Sequence, residues 1–147
     1  MTAVVADTSP LVALHQISLI RILPALFGVI LIPPAVAHEA ISVNLESWIE
    51  IRSLQQEIPP AVLQAEVDLG ESEAISLALE VRASRLIVDD LQARRLATSL
   101  GLTIIGTTGL LLAAKQKGLI RAVRGVQPAP GSLARAPQRA SKASRPR

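Results

Sequence analysis

Residues 84–106 read Ser84-Arg85-Leu86-Ile87-Val88-Asp89-Asp90-Leu91-Gln92-Ala93-Arg94-Arg95-Leu96-Ala97-Thr98-Ser99-Leu100-Gly101-Leu102-Thr103-Ile104-Ile105-Gly106. Leu86-Ile87-Val88 is apolar without alternation, as in a strand buried on both faces. It stops at two acids, and Leu91–Leu100 then carries a helical pattern that Gly101 ends. Leu102–Ile105 is a second buried strand. A strand, a helix and a strand in so short a span make a parallel unit with a crossover helix.

The same grammar extends in both directions. Upstream, Ala3-Val4-Val5-Ala6 is a short apolar run ending at Asp7, and Val29-Ile30-Leu31-Ile32 is another, stopped by Pro33-Pro34. Thr8 or Ser9 is expected to cap a first helix with Pro10 at its first position, and Ser18 to cap a second that bends or breaks at Pro24. Pro34 starts a helix carrying Val36, Glu39 and Val43. Trp48–Ile51 suggests a strand, Pro59-Pro60 a short helix, and Glu71 to about Arg82 a longer one. Downstream, a helix from Thr107 or Thr108 runs to Lys117, with Gly118 after it. The expectation is one α/β domain, layered helix–sheet–helix around a central, mainly parallel sheet of four to five strands.

Composition narrows the chemistry. The chain has 147 residues, no cysteine, and only His15 and His38 as histidines, which excludes disulfides, thiol nucleophiles and Cys- or His-built metal cages. Phe27 and Trp48 are its only aromatic residues, too few for a base-stacking platform. All 12 acids lie from Asp7 to Asp90, whereas six of the 15 basic residues lie in Arg124–Arg147. Met1–Val123 therefore holds nine basic and 12 acidic residues and carries −3, although the whole chain carries +3. The Ala/Pro/Ser/Arg composition from residue 124 onward is that of a disordered basic tail. The expected division is a folded domain over 1–123 and a tail over 124–147, whose removal should weaken non-specific RNA binding. Neither a signal peptide nor an uninterrupted membrane-spanning run is evident, and a soluble cytoplasmic protein is expected.

Ligands of an open parallel sheet bind beyond the carboxyl ends of its strands, where Asp7, Asp89 and Asp90 stand. Each alone suits a turn or cap, but three carboxylates together repel unless a cation screens them. On the helix that follows Gly70, at about 100° per residue, Glu71 falls within the apolar arc of Ala74, Ile75, Leu77, Ala78 and Val81. Ser72, Glu73, Ser76 and Glu80 fall opposite, as solvated surface residues. Glu39 lies at the margin of its helix's apolar face, and His38 points elsewhere. Oxygen-only donors suit Mg²⁺ or Mn²⁺, ions that activate water and stabilise charge on phosphate esters. No dinucleotide-binding or Walker glycine loop is present, and no nucleophile elbow. Ser9 stands where a haloacid-dehalogenase-type phosphatase needs a second Asp, and a receiver domain's acidic pair is missing.

The motifs Ala6-Asp7-Thr8-Ser9-Pro10-Leu11 and Ile32-Pro33-Pro34-Ala35-Val36-Ala37-His38-Glu39 resemble the opening of PIN-like domains. Gly70-Glu71-Ser72-Glu73-Ala74-Ile75-Ser76-Leu77-Ala78 and Val88-Asp89-Asp90-Leu91-Gln92-Ala93-Arg94-Arg95 resemble a prokaryotic subgroup described as a domain of unknown function or predicted nucleic-acid-binding protein. Gly106-Thr107-Thr108-Gly109 and Ala114–Ile120 fit the same subgroup, and the match covers about 2–123. The resemblance implies a Mg²⁺- or Mn²⁺-dependent ribonuclease, in many relatives the toxin of a toxin–antitoxin pair and a homodimer. The expected partners are thus an RNA substrate, a small antitoxin protein and a second copy of the chain. Residue by residue it implies Asp7, Glu39, Glu71, and Asp89 or Asp90 as the acids, with Ser9 as a site contact. Glu73 is the rival of Glu71. The alternative is a catalytically inactive PIN-like module binding RNA or a protein. Relatives usually continue past Gly118-Leu119-Ile120 with further ordered structure, and the Ala/Pro/Arg-rich tail looks unlike that ending.

Overall fold

The computed structural model describes residues 2–40, 43–44 and 46–121; the expected tail and the domain boundary at 123 lie outside the described residues. Five parallel strands form one sheet: β1 (Val4–Ala6), β2 (Ile30–Ile32), β3 (Ile49–Ile51), β4 (Arg85–Ile87) and β5 (Ile104–Ile105), in the order β3-β2-β1-β4-β5. Around them run α1 (Thr8–Gln16), α2 (Ile22–Phe27), α3 (Pro34–Glu39), α4 (Pro60–Leu63), α5 (Leu69–Val81), α6 (Leu91–Ser99) and α7 (Thr107–Gln116). The inner strands are apolar, apart from exposed Arg85 at the start of β4, because helices cover both faces. The edge strand β3 carries exposed Glu50 and Ile51. Val5, Ile30, Ile32, Leu86 and Ile87 are all fully buried.

Right-handed crossovers put the helices between β1 and β2 on one face and those leading into β4 and β5 on the other. Accordingly α7 packs on α1 and α2, while α5 packs on β1, β4, α3, α4 and α6. The registers Ala6↔Ile87 and Leu86↔Ile104 end the central strands at one level. Asp7, Val88 and Gly106 therefore emerge side by side at the carboxyl edge. The Asp7 N–H still donates to Ile87 C=O (2.9 Å), and Val88 N–H to Ile105 C=O (3.0 Å). None of the described helices is long and apolar enough to cross a membrane.

Three local expectations are corrected. Asp7, not Thr8 or Ser9, is the N-cap residue of α1, which places Pro10 third in the helix. The strand ends one residue before Asp7, so the backbone turns there at once. Ser18 caps nothing: it sits at φ 60°, and α2 starts only at Ile22 after a turn. Pro24 neither bends nor breaks α2, because as its third residue it has no intrahelical N–H bond to lose.

The largest correction concerns α5. Ser72 and Ser76 are buried, and the Ser76 hydroxyl donates to Ser72 C=O (2.8 Å). Glu73 is half-buried and accepts from the Ala35 N–H (3.0 Å). Glu80 accepts from the Gln55 and Gln56 N–H groups (2.8 and 3.0 Å). An arc analysis presumes one packed face, but α5 has the sheet on one side and α3 on another. Its polar residues fasten neighbouring backbone instead of facing water.

Candidate active site at the carboxyl edge

Asp7 is the centre of the site. It is 2% exposed, makes no side-chain capping bond to its helix, and its Oδ1 is a buried oxygen with no hydrogen-bond partner among the described residues. Burial pushes its carboxyl up from 3.8 to about 7. The Thr8 backbone N–H pulls the other way, and the charges of Glu71, Asp68 and Glu39 raise it further. A buried carboxylate with one orphaned oxygen is costly to keep ionised, so it favours a proton or a cation.

Glu39 reaches this edge from the end of α3, where its Oε1 accepts from Thr8 Oγ1 (2.6 Å). Gly70 makes room for it. A Cβ at position 70 would collide with Glu39 Oε1 and lie 2.8 Å from its Cδ and 2.9 Å from its Oε2. Gly70→Ala must therefore push the Glu39 carboxylate off Thr8. Ala is the better helix former by about 1 kcal/mol, and Glu39 is exposed enough to swing away. The melting temperature of Gly70→Ala should stay level or rise; a clear fall in a thermal melt would show that Glu39 cannot leave Thr8 without cost.

Glu71 is 8% exposed and is held by a capping box: its N–H donates to Asp68 Oδ1 (2.8 Å), and its Oε1 accepts from the Asp68 N–H (3.0 Å). Burial raises its carboxyl, opposed by the Asp68 N–H and reinforced by the charges of Asp68, Asp90 and Glu39. Asp7, Glu39, Asp68, Glu71 and Asp90 thus form one electrostatic group. Asp68 and Thr8 are participants missed at the sequence level. The Asp68-x-x-Glu71 spacing is a capping-box signature that would have revealed the first.

The two adjacent aspartates part company. Asp89 spends both oxygens on α7, accepting from the Thr107 N–H on Oδ1 (2.7 Å) and from Thr107 Oγ1 on Oδ2 (2.5 Å). Asp90 is the N-cap of α6, and its Oδ2 accepts from the Ala93 N–H (3.0 Å). Its Oδ1 accepts no hydrogen bond among the described residues, and its charge is felt by Glu71. Ser9 is exposed with no side-chain hydrogen bond among the described residues, and His38 is exposed.

Among the described residues no three His, Cys, Asp or Glu side chains stand close enough to enclose an ion. Asp7 supplies the test of fit: an orphaned, buried carboxylate oxygen ringed by other acids.

A family profile described as PIN domain (DUF3368) matches residues 3–129. Among solved structures the chain is similar to a PilT N-terminus domain protein, SSO1118, from the hyperthermophilic archaeon Sulfolobus solfataricus P2. The two share 24% identity over 78% of this chain and 93% of that one, with a TM-score of 0.58. At that identity the likeness concerns the fold alone. No curated protein matches.

Proposed function

The chain belongs to the PIN-domain family, and from that premise we propose that it is a Mg²⁺- or Mn²⁺-dependent endoribonuclease with Asp7, Glu39, Glu71 and Asp90 as its working acids. PIN domains are generally nucleases and typically use divalent metals. The observation that carries the reading is the orphaned Oδ1 of buried Asp7 within a ring of carboxylates. A bound divalent ion would supply an activated water and positive charge opposite the phosphate oxygens. The chain's own residues hold the site ready for it. Thr8 Oγ1 orients Glu39, the Asp68 N–H orients Glu71, and the Ala93 N–H fixes Asp90 while leaving Oδ1 open. With its carboxyl raised to about 7, Asp7 shares a proton with solvent near neutral pH, and its orphaned oxygen would be one of the groups to hold the ion. In this reading the protein is the toxin of a toxin–antitoxin pair and works in the cytoplasm as a homodimer, restrained by a small antitoxin protein; the resemblance supports these assignments.

The second reading, an inactive PIN-like module that binds RNA or a protein, is favoured by the lack of a closed three-ligand group among the described residues. Thermal melting separates the two. Mn²⁺ at a hundred times its dissociation constant should stabilise the wild type by about 2.7 kcal/mol, since it binds only the folded acids. Asp90→Asn should abolish that shift while keeping its helix cap. Asp89→Asn should keep the shift but melt lower by about 1–2 kcal/mol, because one Thr107 donor loses its acceptor. A wild type indifferent to millimolar Mn²⁺ selects the inactive module.

A further inference from the structure

We propose that the groove between α6 and β5 is a binding track for single-stranded RNA, with Arg94 and Arg95 holding backbone phosphate beside the acid cluster. The inference rests on the nuclease reading above and deepens it. The groove has a volume of about 420 Å³ and is lined by Leu91, Arg94, Arg95, Thr98, Ser99 and Ile104. It lies at the β5 edge of the sheet and opens along the helix that Asp90 caps.

Arg94 lies one helical turn beyond Asp90, its N–H bonded to Asp90 C=O (2.9 Å), which is a rise of about 6 Å along the axis. It is half-buried, yet the ion pairs among the described residues are Arg21–Glu46 and Arg52–Glu50. Asp89 stands beside it but is not ion-paired with it among the described residues. A Cβ on Gly106 would lie 2.5 Å from Arg94 Nη1 and 2.7 Å from Asp89 Oδ1, so both side chains crowd the same glycine. Both Asp89 oxygens are already taken by Thr107.

Beyond Asp90 the chain that lines this edge is basic. Residues 91–121 contain five basic side chains and no acid. A half-buried guanidinium that closes no ion pair among the described residues keeps donors free for an external anion, and its planar fork suits phosphate. The remaining lining favours a nucleotide over a free anion. Leu91 is 59% exposed at the mouth and Ile104 is half-buried in the wall, giving an apolar surface for ribose and base. An unpaired base can lie on such a surface or on a guanidinium plane, as single strands do on their binding proteins. The groove begins at Leu91, next to the Asp90 cap. A strand held by the arginines would thus have its phosphates drawn toward an acid cluster that would otherwise repel them.

The test is fluorescence anisotropy with a labelled single-stranded RNA oligomer and the full chain in EDTA, titrated over a range of salt. Replacing both arginines (Arg94→Gln with Arg95→Gln) should weaken binding on the order of tenfold. It should also lower the slope of log affinity against log salt by about 1.4, at about 0.7 per phosphate contact on a single strand. Exposed Arg95→Gln alone should lower it by about 0.7, which keeps the test valid if the double variant misfolds. Lysine at both positions should restore the slope. Unchanged affinity and slope would overturn the proposal. An equal loss in binding to a polyglutamate peptide would make the groove a dock for an acidic protein and overturn the RNA assignment. Arginine-dependent RNA binding by a wild type that cuts nothing in Mn²⁺ would instead sustain the track and sink the nuclease reading.

Discussion

Asp7→Asn should make the metal-free protein more stable at neutral pH, and increasingly so between about pH 4 and pH 7. The carboxyl is raised from 3.8 to about 7 on folding, so the folded state keeps a proton that the unfolded chain releases from about pH 4 upward. Wherever the folded state binds more protons, stability falls as pH rises. The wild type should therefore lose stability across that window and level off above about pH 7. A shift of this size corresponds to about 4 kcal/mol. Asparagine has no proton to lose, and Asp7 makes no side-chain capping bond that the change would remove. The two proteins should converge near pH 4 and separate toward pH 8 in urea titrations followed by circular dichroism. Saturating Mn²⁺ should return most of the lost stability to the wild type alone. A wild type whose stability does not fall over that window would mean that Asp7 is solvated or paired.

Glu71→Gln should reduce metal-dependent cleavage on the order of a hundredfold, while Glu73→Gln stays close to the wild type. The two lie about 200° apart around α5. Glu71 shares a field with Asp7, Asp90 and Glu39. Glu73 accepts from the Ala35 N–H in the first turn of α3. Glutamine at 73 retains a carbonyl acceptor for that bond, so α3 and the Glu39 at its end stay in place. Alanine at 73 should cost about 1 kcal/mol and disturb Glu39 indirectly. Single-turnover cleavage and thermal melts of the three variants separate these roles. Large losses with Glu73→Gln and none with Glu71→Gln would move the third acid to position 73.

How far the sequence reached depended on whether a residue's role is set locally. The strands were legible because three-residue runs such as Val4-Val5-Ala6 and Leu86-Ile87-Val88 have no polar alternate, and each central one ends against an acid. Asp7 followed from that position alone. Asp89 and Asp90 could not be told apart, because each accepts from the first turn of a helix and only the third dimension shows which helix each holds. Asp89 turns to α7 across the sheet edge, while Asp90 caps the helix it begins. Glu73 and Glu80 were misread because their partners, Ala35 and Gln55-Gln56, are distant in the chain. The contributions of Thr8 and Gly70 were hidden likewise, since each matters through a contact with Glu39 on another helix.

The central claim is that the carboxylate cluster around Asp7 is a metal-dependent centre for cutting RNA. Incubation of end-labelled RNA with the full chain in Mn²⁺, alongside EDTA and alongside Asp7→Asn, tests it most directly. Cleavage by the wild type in Mn²⁺ that disappears both in EDTA and in Asp7→Asn is the predicted result. Equal cleavage by Asp7→Asn, or none by the wild type in Mn²⁺, would contradict it.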